Sequence, residues 1–492
     1  MIPLLWAWER LGRAQSLGAG FVAGVCVQLA VFQWLAPAFA AYSGASLGVA
    51  WAGFALYVAW EAIPFAILGL VDWAIRRRCP RARWWLFAAA FVGVEWLWPR
   101  VFPWRAGAPQ VEVAWIAPLA VLLGPLGLTL IVALVNGGLF ESARQRRILP
   151  AAVVLGLLGA TLAFGAFWSS QPASGPTVRV GWVQPGVVVR SGEGSEEVVW
   201  RALLEGCSAV GLAGGADVCV LPEGICPTRW MELDPSAKGP EVARWRTAVA
   251  REQSALVARL RALARAARAP VLIGITRRWV VPRGDDQLEV VRRVNACVLV
   301  GPEGIRAWTG KRRLLPFAEE LPWEGLRAWI PQAGRYSSSP DDGQLEVFPG
   351  GAKAGVLVCY EATRARPFGA NPPGVLLNPT NDDWFQGLGP AQHAMLCRVR
   401  AVEANRPLIR VASTGISYAI SGRGALLVYA DSGPASGVVS VRAGTAQTPH
   451  TRWGEGWAPA LALLALALPL LAGRRLPAKI EDAPENAPKD GI

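Results

Sequence analysis

Long apolar stretches constrain this chain most, because a chain of ordinary length can bury them only in a lipid bilayer. A helix needs about 20 apolar residues to cross the hydrocarbon core. Hydrophobic residues make up 53% of the 492 residues and charged residues only 17%, which is typical of membrane proteins. Stretches that approach the required length lie at 16–35, 46–71, 84–99, 113–140, 149–168 and 456–473. The sequence therefore predicts a polytopic membrane protein with about five spans before a long polar region and one after it.

Positive charge is unevenly distributed among the connections between these spans. Lys and Arg are enriched in cytoplasmic loops. The N-terminus, alternate loops and the C-terminal tail carry the basic clusters: Arg10 and Arg13; Arg76, Arg77, Arg78, Arg81 and Arg83; Arg144, Arg146 and Arg147; Arg474, Arg475, Lys479 and Lys489. We therefore predict that both termini are cytoplasmic and that the region from about 169 to 455 lies outside the cytoplasm. This distribution explains the net charge of +13 without a nucleic-acid partner.

The region between the fifth and sixth spans has the pattern of a soluble α/β domain. Short β-rich apolar runs alternate with helical patterns, the longest of which is 240–268. The runs lie at 178–184, 217–221, 270–275, 294–300, 355–359, 374–378 and 408–413. We predict four segments: a membrane domain (1–172), an extracytoplasmic domain (173–450), a C-terminal transmembrane helix (451–475) and a disordered tail (476–492).

Three ionisable residues follow predicted strands or lie in adjoining loops, where α/β sheets place their active groups. They are Glu223 in LPEGICP, Lys311 in GKRRLLPFAEELP and Cys359 in VLVCYEA. A cysteine thiolate attacks carbonyl carbon and forms a thioester. A buried carboxylate can take the thiol proton, and a lysine can stabilise an oxyanion. Together these residue types predict covalent acyl chemistry.

Each residue also has a simpler interpretation. A cysteine at a strand end is often a small buried hydrophobe, Glu223 could be a helix N-terminal acid or a turn residue, and lysines are usually exposed. His393 and His450 are the only histidines, so a pairing of Cys359 with His393 is a weaker alternative. The cysteines have no CxxC spacing, so we expect no metal site and no cofactor.

The three segments together resemble the carbon–nitrogen hydrolase (nitrilase) superfamily, which uses a Glu-Lys-Cys triad on an αββα sandwich. The longer segments PFAEELP, LVCYEA, LLNPTNDDWF and GPAQHAMLCRVRAVEANRPLIRVASTG, flanked by membrane spans, resemble the apolipoprotein N-acyltransferase family within it. The resemblance implies an α/β fold, with a nitrilase-like sandwich embedded in a polytopic helical membrane protein of the bacterial inner membrane.

The resemblance also implies roles for individual residues. Glu223 would be the general base, Lys311 the oxyanion stabiliser and Cys359 the nucleophile. Glu319, Tyr360 and Glu361 would support them, and the substrate-binding residues would be Trp230, Asn381, Trp384 and Phe385; His393 would be structural. The donor would be a phospholipid and the acceptor a diacylglyceryl apolipoprotein, joined through a thioester acyl-enzyme. Because water must be kept off the thioester, we also expect an apolar pocket with a mobile lid that includes the Trp230 loop. This requirement, rather than the resemblance, places Trp230 among the substrate-binding residues.

Two other functions fit parts of the sequence. A membrane-anchored nitrilase-type amidase would share the triad, but it would not need five spans before the catalytic domain. A non-enzymatic transporter or assembly factor would leave the ordered Glu, Lys and Cys unexplained. Glu61 and Glu95 are the few acidic residues within the predicted spans.

Overall fold

The computed structural model describes residues 1–188, 196–284, 287–364 and 366–472. Residues 1–170, all of which are described, form seven α-helices. They are α1 (Ile2–Trp8), α2 (Arg13–Phe32), α3 (Leu35–Ser43), α4 (Leu47–Arg78), α5 (Arg83–Leu97), α6 (Leu119–Gln145) and α7 (Ile148–Ser170). The tail predicted at 476–492 lies outside the described residues.

Four of these helices are long and apolar enough to cross a membrane: α2, α4, α6 and α7. They coincide with four of the predicted stretches. The stretches predicted at 84–99 and 456–473 correspond to shorter helices, α5 with 15 residues and α12 (Ala458–Leu471) with 14. Because both are shorter than a typical span, membrane crossing by α5 and α12 stays a prediction.

Close packing of α2 on α4 depends on glycine. A Cβ atom at Gly20 would lie 2.2 Å from the carbonyl oxygen of Phe65, and one at Gly24 would lie 2.7 Å from the Cα atom of Ala62. Small residues allow helix backbones to approach closely inside a bilayer, where apolar burial gives little drive for association.

The basic clusters that lie within residues 1–170 meet at one end of this helical bundle. Arg83 at the start of α5 pairs with Asp72 of α4 at 2.8 Å and also with Glu9, just after α1. Arg144 near the end of α6 pairs with Glu9 at 3.2 Å. These contacts bring the basic ends of α4, α5 and α6 together, and the α/β domain contacts the opposite end of the bundle.

The remaining described residues form α12 and an α/β domain. Its strands are β1 (Thr177–Gln184), β2 (Val218–Val220), β3 (Trp230–Leu233), β4 (Val271–Pro282), β5 (Leu288–Gly301), β6 (Gly304–Gly310), β7 (Gln344–Glu346), β8 (Lys353–Val356), β9 (Val375–Thr380), β10 (Leu408–Ala412), β11 (Ser417–Ile420), β12 (Leu426–Ala430) and β13 (Ala435–Arg442). Its helices are α8 (Glu196–Leu212), α9 (Val242–Ala267), α10 (Gly389–Ala404) and α11 (Pro449–Trp453).

The strands form two sheets that face one another. The first has the order β13-β1-β2-β4-β5-β6, with β3 paired to β4, and the second has the order β12-β11-β10-β9-β8-β7. An apolar core that includes Val180, Val356 and Val411 fills the space between the sheets. Helices α8 and α9 cover the outer face of the first sheet, and α10 covers the outer face of the second. The predicted αββα sandwich is confirmed.

Helix α10 lies between the second sheet and the membrane helices. Its residues Leu396, Val399 and Val402 share a buried cluster with Phe102 and Leu128 of the helical bundle. Trp34 donates its indole N–H to the Gln392 side chain at 3.0 Å, and Gln392 donates to the carbonyl of Val31 at 2.8 Å. The catalytic domain is therefore packed directly on the bundle.

Candidate active site

The three residues predicted to carry the chemistry follow strand ends. Glu223 lies shortly after β2, Lys311 directly after β6 and Cys359 shortly after β8. Strands β2 and β4 are parallel, and β4, β5 and β6 alternate in direction, so β2 and β6 end at the same edge of the first sheet. The second sheet provides Cys359 from the facing layer. The site thus lies where the two sheets end together.

Lys311 lies at the centre of a buried cluster. Its ammonium nitrogen is 3.2 Å from Oε1 of Glu223 and 2.8 Å from Oε1 of Glu319. The amide of Asn295 donates to the same oxygens, at 2.6 Å to Glu223 and 3.3 Å to Glu319. The backbone N–H of Asn381 donates to Oε2 of Glu223 at 3.0 Å. Glu223 is therefore held in place by three separate donors.

The cluster sets the charge state of its lysine. Burial alone lowers the pKa of Lys311, but the carboxylates of Glu223 and Glu319 more than compensate, and its pKa lies well above the usual value. Lys311 is therefore a fixed cation at neutral pH. Glu319 contacts this cation at 2.8 Å, and its supporting role stays a prediction.

Cys359 occupies a sharp turn. Its φ angle is +50°, a value that non-glycine residues adopt rarely and at an energetic cost of about 1–3 kcal/mol. A short 3-10 turn, Cys359–Thr363, follows it directly. The turn therefore interrupts the chain direction shortly after β8 ends.

Glu361 fixes this turn to the segment after Lys311. Its carboxylate accepts the backbone N–H groups of Val358 at 2.9 Å, Arg312 at 3.0 Å and Arg313 at 3.2 Å. One buried carboxylate thus joins the cysteine turn to the lysine loop. These three contacts are the means by which Glu361 would support the site, and that role stays a prediction.

The resting state of Cys359 is the neutral thiol. Burial and the negative charge of Glu223 raise its pKa, and the nearby Lys311 cation opposes this only in part. Glu223 is the carboxylate whose charge acts most strongly on this thiol, and Asp382 acts on it in the same direction.

A second buried cluster lies behind the cysteine turn, and sequence reasoning missed most of it. Arg410 of β10 contacts the Asp382 carboxylate at 2.5 Å and donates to the Asn378 side chain at 2.9 Å. Asn378 donates to the carbonyl of Leu357 at 2.6 Å. His393 contacts Asp382 at 3.0 Å. His393 is therefore built into this cluster, in agreement with its predicted structural role.

The predicted aromatic residues lie in different places. Trp384 contacts Tyr42 of α3, with ring centroids 5.1 Å apart, and Phe385 contacts Trp34 at 5.0 Å, so both lie at the junction with the membrane helices. Trp230 lies in β3, donates to Glu232 at 2.6 Å and packs on the core beneath α8 and α9. None of the contacts described for Trp230 involves the triad.

Among residues 1–188, 196–284, 287–364 and 366–472, no group of three or more His, Cys, Asp or Glu side chains is arranged to hold a metal ion. All eight cysteines are free thiols.

Two family models match the chain. One, described as the apolipoprotein N-acyltransferase N-terminal domain, matches residues 1–138, and the other, described as carbon-nitrogen hydrolase, matches residues 183–445. The apolipoprotein N-acyltransferase of Caulobacter vibrioides is 30% identical over 86% of this chain and 82% of its own length. The chain belongs to the apolipoprotein N-acyltransferase family. It is therefore an acyltransferase of the carbon–nitrogen hydrolase superfamily.

The chain is also similar to a second apolipoprotein N-acyltransferase and to one solved amidase structure. The apolipoprotein N-acyltransferase of Geobacter metallireducens is 26% identical over 96% of this chain and 90% of its own length. A solved structure of an amidase from Nesterenkonia sp. is 16% identical and covers 56% of this chain and 94% of that chain, with a TM-score of 0.36. The curated relatives match both the membrane helices and the catalytic domain.

Proposed function

We propose that this acyltransferase moves an acyl chain from a phospholipid to the N-terminal amine of diacylglyceryl-cysteine apolipoproteins, through a thioester on Cys359. The observation that carries the proposal is the shared contact of Lys311 with Glu223 and Glu319, since it places a fixed cation and a well-held carboxylate at one site. Both charges act on the Cys359 thiol.

In the first half-reaction Glu223 takes the thiol proton, and the sulfur of Cys359 attacks the carbonyl carbon of the sn-1 ester. Lys311 stabilises the oxyanion of the tetrahedral intermediate. The ester C–O bond then breaks, and the leaving glycerol oxygen takes the proton from Glu223. The products are a lysophospholipid and the thioester.

In the second half-reaction the α-amine of the acceptor attacks the thioester carbon. Glu223 takes a proton from the amine nitrogen, the C–S bond breaks, and the thiolate of Cys359 recovers that proton. The amide formed is more stable than the thioester, which favours this direction. Because one carboxylate takes and returns a proton in each half, the enzyme ends in its starting state.

The membrane helices explain how two lipid substrates reach one site. Removing an acyl chain from the bilayer costs about 0.8 kcal/mol per CH₂ group. A site that lies on the bundle, with Trp384 and Phe385 at the junction, lets both substrates keep their other chains in lipid. We assign these two aromatic residues and Asn381 to the border of the acyl path. A lid formed by Trp230 would require β3 to separate from β4.

The basic clusters support the orientation within the membrane. Those within residues 1–170 meet at the end of the bundle opposite the catalytic domain, and basic ends of this kind are cytoplasmic. We propose the inner membrane as the location, with the catalytic domain on its periplasmic side, and we retain the boundaries 1–172, 173–450 and 451–475.

The test uses the purified enzyme with a phospholipid and a diacylglyceryl-cysteine peptide. N-acylated peptide and lysophospholipid should appear in equal amounts, and blocking the peptide α-amine should stop peptide acylation. Release of ammonia from small amides without any peptide acylation would instead favour the amidase. Cys359→Ser is the matched inactive variant.

A further inference from the structure

The residue after the nucleophile contacts the membrane domain directly. The hydroxyl of Tyr360 donates to the backbone carbonyl of Val101 at 2.5 Å and accepts from Arg364 at 3.1 Å. Its ring lies 6.1 Å from the ring of Phe102. Because Tyr360 adjoins Cys359 in the same turn, the position of Val101 affects the position of the nucleophile.

Val101 lies next to a buried arginine in the segment between α5 and α6. The guanidinium of Arg100 is 3.1 Å from the carboxylate of Glu61 in α4 and 3.8 Å from that of Glu95 in α5. It also lies 4.3 Å from the Trp104 ring. The side chain of Arg100 is 4% exposed and that of Glu61 is fully buried, so this ion pair is screened little by solvent.

Glu95 fixes the other end of the same segment. Its carboxylate accepts the Ala106 backbone N–H at 2.8 Å and the Thr129 hydroxyl of α6 at 2.8 Å. At Gly107 an added Cβ would lie 2.1 Å from the Thr129 backbone nitrogen, so the segment fits tightly against α6. The segment 98–107 is thus fastened to α4, α5 and α6 at both ends.

A buried ion pair contributes little net stability, because desolvation offsets the attraction, so its main effect here is to fix geometry. We propose that Arg100, held by Glu61 and Glu95, is a positioning residue for the acyl transfer. It fixes the Val101 carbonyl that receives the Tyr360 hydroxyl, and so it fixes the Cys359 turn from the membrane side. This inference rests on the proposed function, in which Cys359 is acylated.

The test is a double-mutant cycle on the full-length enzyme. The paired variant Glu61→Gln with Arg100→Met removes the ion pair, and neither of these two positions then carries a buried charge. Tyr360→Phe removes only the hydroxyl. The single-turnover rate of Cys359 acylation by phospholipid is measured together with the KM for phospholipid. Asp72→Asn with Arg83→Met is the control, because it removes a buried ion pair at the opposite end of the bundle.

We expect the Glu61/Arg100 variant and Tyr360→Phe each to slow acylation about tenfold to a hundredfold at unchanged KM. Their combination should be no slower than the slower of the two, because both break one link. The control should leave the acylation rate unchanged, because its ion pair lies away from the Cys359 turn. Arg100→Lys keeps the positive charge and should therefore be faster than the Glu61/Arg100 variant. If the Glu61/Arg100 variant does not fold, Arg100→Lys takes its place in the double-mutant cycle.

Additive losses, or a normal acylation rate in a folded Glu61/Arg100 variant, would overturn the inference. Neither result would affect the proposed function, as long as the wild type forms the Cys359 adduct. A wild-type enzyme that forms no adduct would instead refute the proposed function.

Discussion

Cys359 and Cys397 are both buried in the catalytic domain, but their surroundings differ. Cys397 in α10 lies beside His393 and Arg410; burial raises its pKa, but these two groups outweigh burial and hold the pKa below its usual value. Cys359 has a raised pKa, a strained backbone and a carboxylate base. Cys397 is fully enclosed, whereas Cys359 retains 8% exposure. The proposed nucleophile is therefore the thiol that has solvent access and a nearby carboxylate, and not the thiol with the lower pKa.

The strongest test of this contrast removes the base. Glu223→Gln keeps the shape of the side chain but cannot take the thiol proton, so acylation of Cys359 should fall by about 10²- to 10⁴-fold. Single-turnover acylation by phospholipid measures this loss. Glu303→Gln, at an exposed carboxylate paired with Arg306, is the control and should retain the full rate. A Glu223→Gln enzyme with near-normal acylation would show that another group takes the proton.

Removal of the cation should have the next largest effect. Lys311→Met should slow acylation about 10²- to 10³-fold, because the oxyanion loses its fixed charge. It also leaves Glu223 and Glu319 facing one another without a cation, so the melting temperature should be measured with the rate. Lys311→Arg should not restore the rate, since a planar guanidinium does not fit the lysine contacts. Full activity in Lys311→Arg would contradict this.

The alkylation rates of Cys359 and Cys397 should also differ, but this effect is smaller than the two losses of acylation rate. The charge of Glu223 helps to raise the pKa of Cys359. Glu223→Gln should therefore lower the pKa of Cys359, although acylation is lost. At a pH below that pKa, a decrease of about one unit speeds alkylation of Cys359 about tenfold. Mass mapping after timed alkylation measures both cysteines. Cys397 should stay unmodified until the protein unfolds, and its early modification would break the comparison.

The smallest expected effect is a change in how the melting temperature depends on pH. Burial and Arg410 lower the pKa of His393, but Cys397 and the Asp382 hydrogen bond outweigh them and raise its pKa to about 9. A raised folded-state pKa stabilises the protein below the unfolded value of about 6.5, and this contribution disappears as pH rises through about 9. His393→Asn should reduce the fall in melting temperature between about pH 6 and pH 10, and an unchanged fall would contradict the assignment.

Much of the fold could be predicted because its elements carry local signals. The seven predicted apolar runs coincide with β1, β2, β4, β5, β8, β9 and β10. Of the strands that were missed, β3 is short and carries a charged residue, and β12 is apolar in sequence but largely exposed. Helices α1 and α3 were missed because they are too short to give a spanning pattern.

The candidate site was predictable only in part. The motifs around Glu223, Lys311 and Cys359 gave the chemistry, and the structure brings these segments together. Asn295 was missed, although a buried amide within an apolar strand was a visible signal. The pairing of Arg410 with Asp382 depends on the approach of separate segments, which no local pattern specifies. The same holds for the contact between Tyr360 and Val101.

The most direct measurement is intact-mass analysis of the wild-type enzyme after incubation with phospholipid alone, with Cys359→Ser and Cys397→Ser beside it. A thioester on Cys359 predicts one acyl adduct on the wild type and on Cys397→Ser, removed by hydroxylamine and by a diacylglyceryl-cysteine peptide, and none on Cys359→Ser. An adduct that persists in Cys359→Ser but disappears in Cys397→Ser would contradict the assignment of the nucleophile.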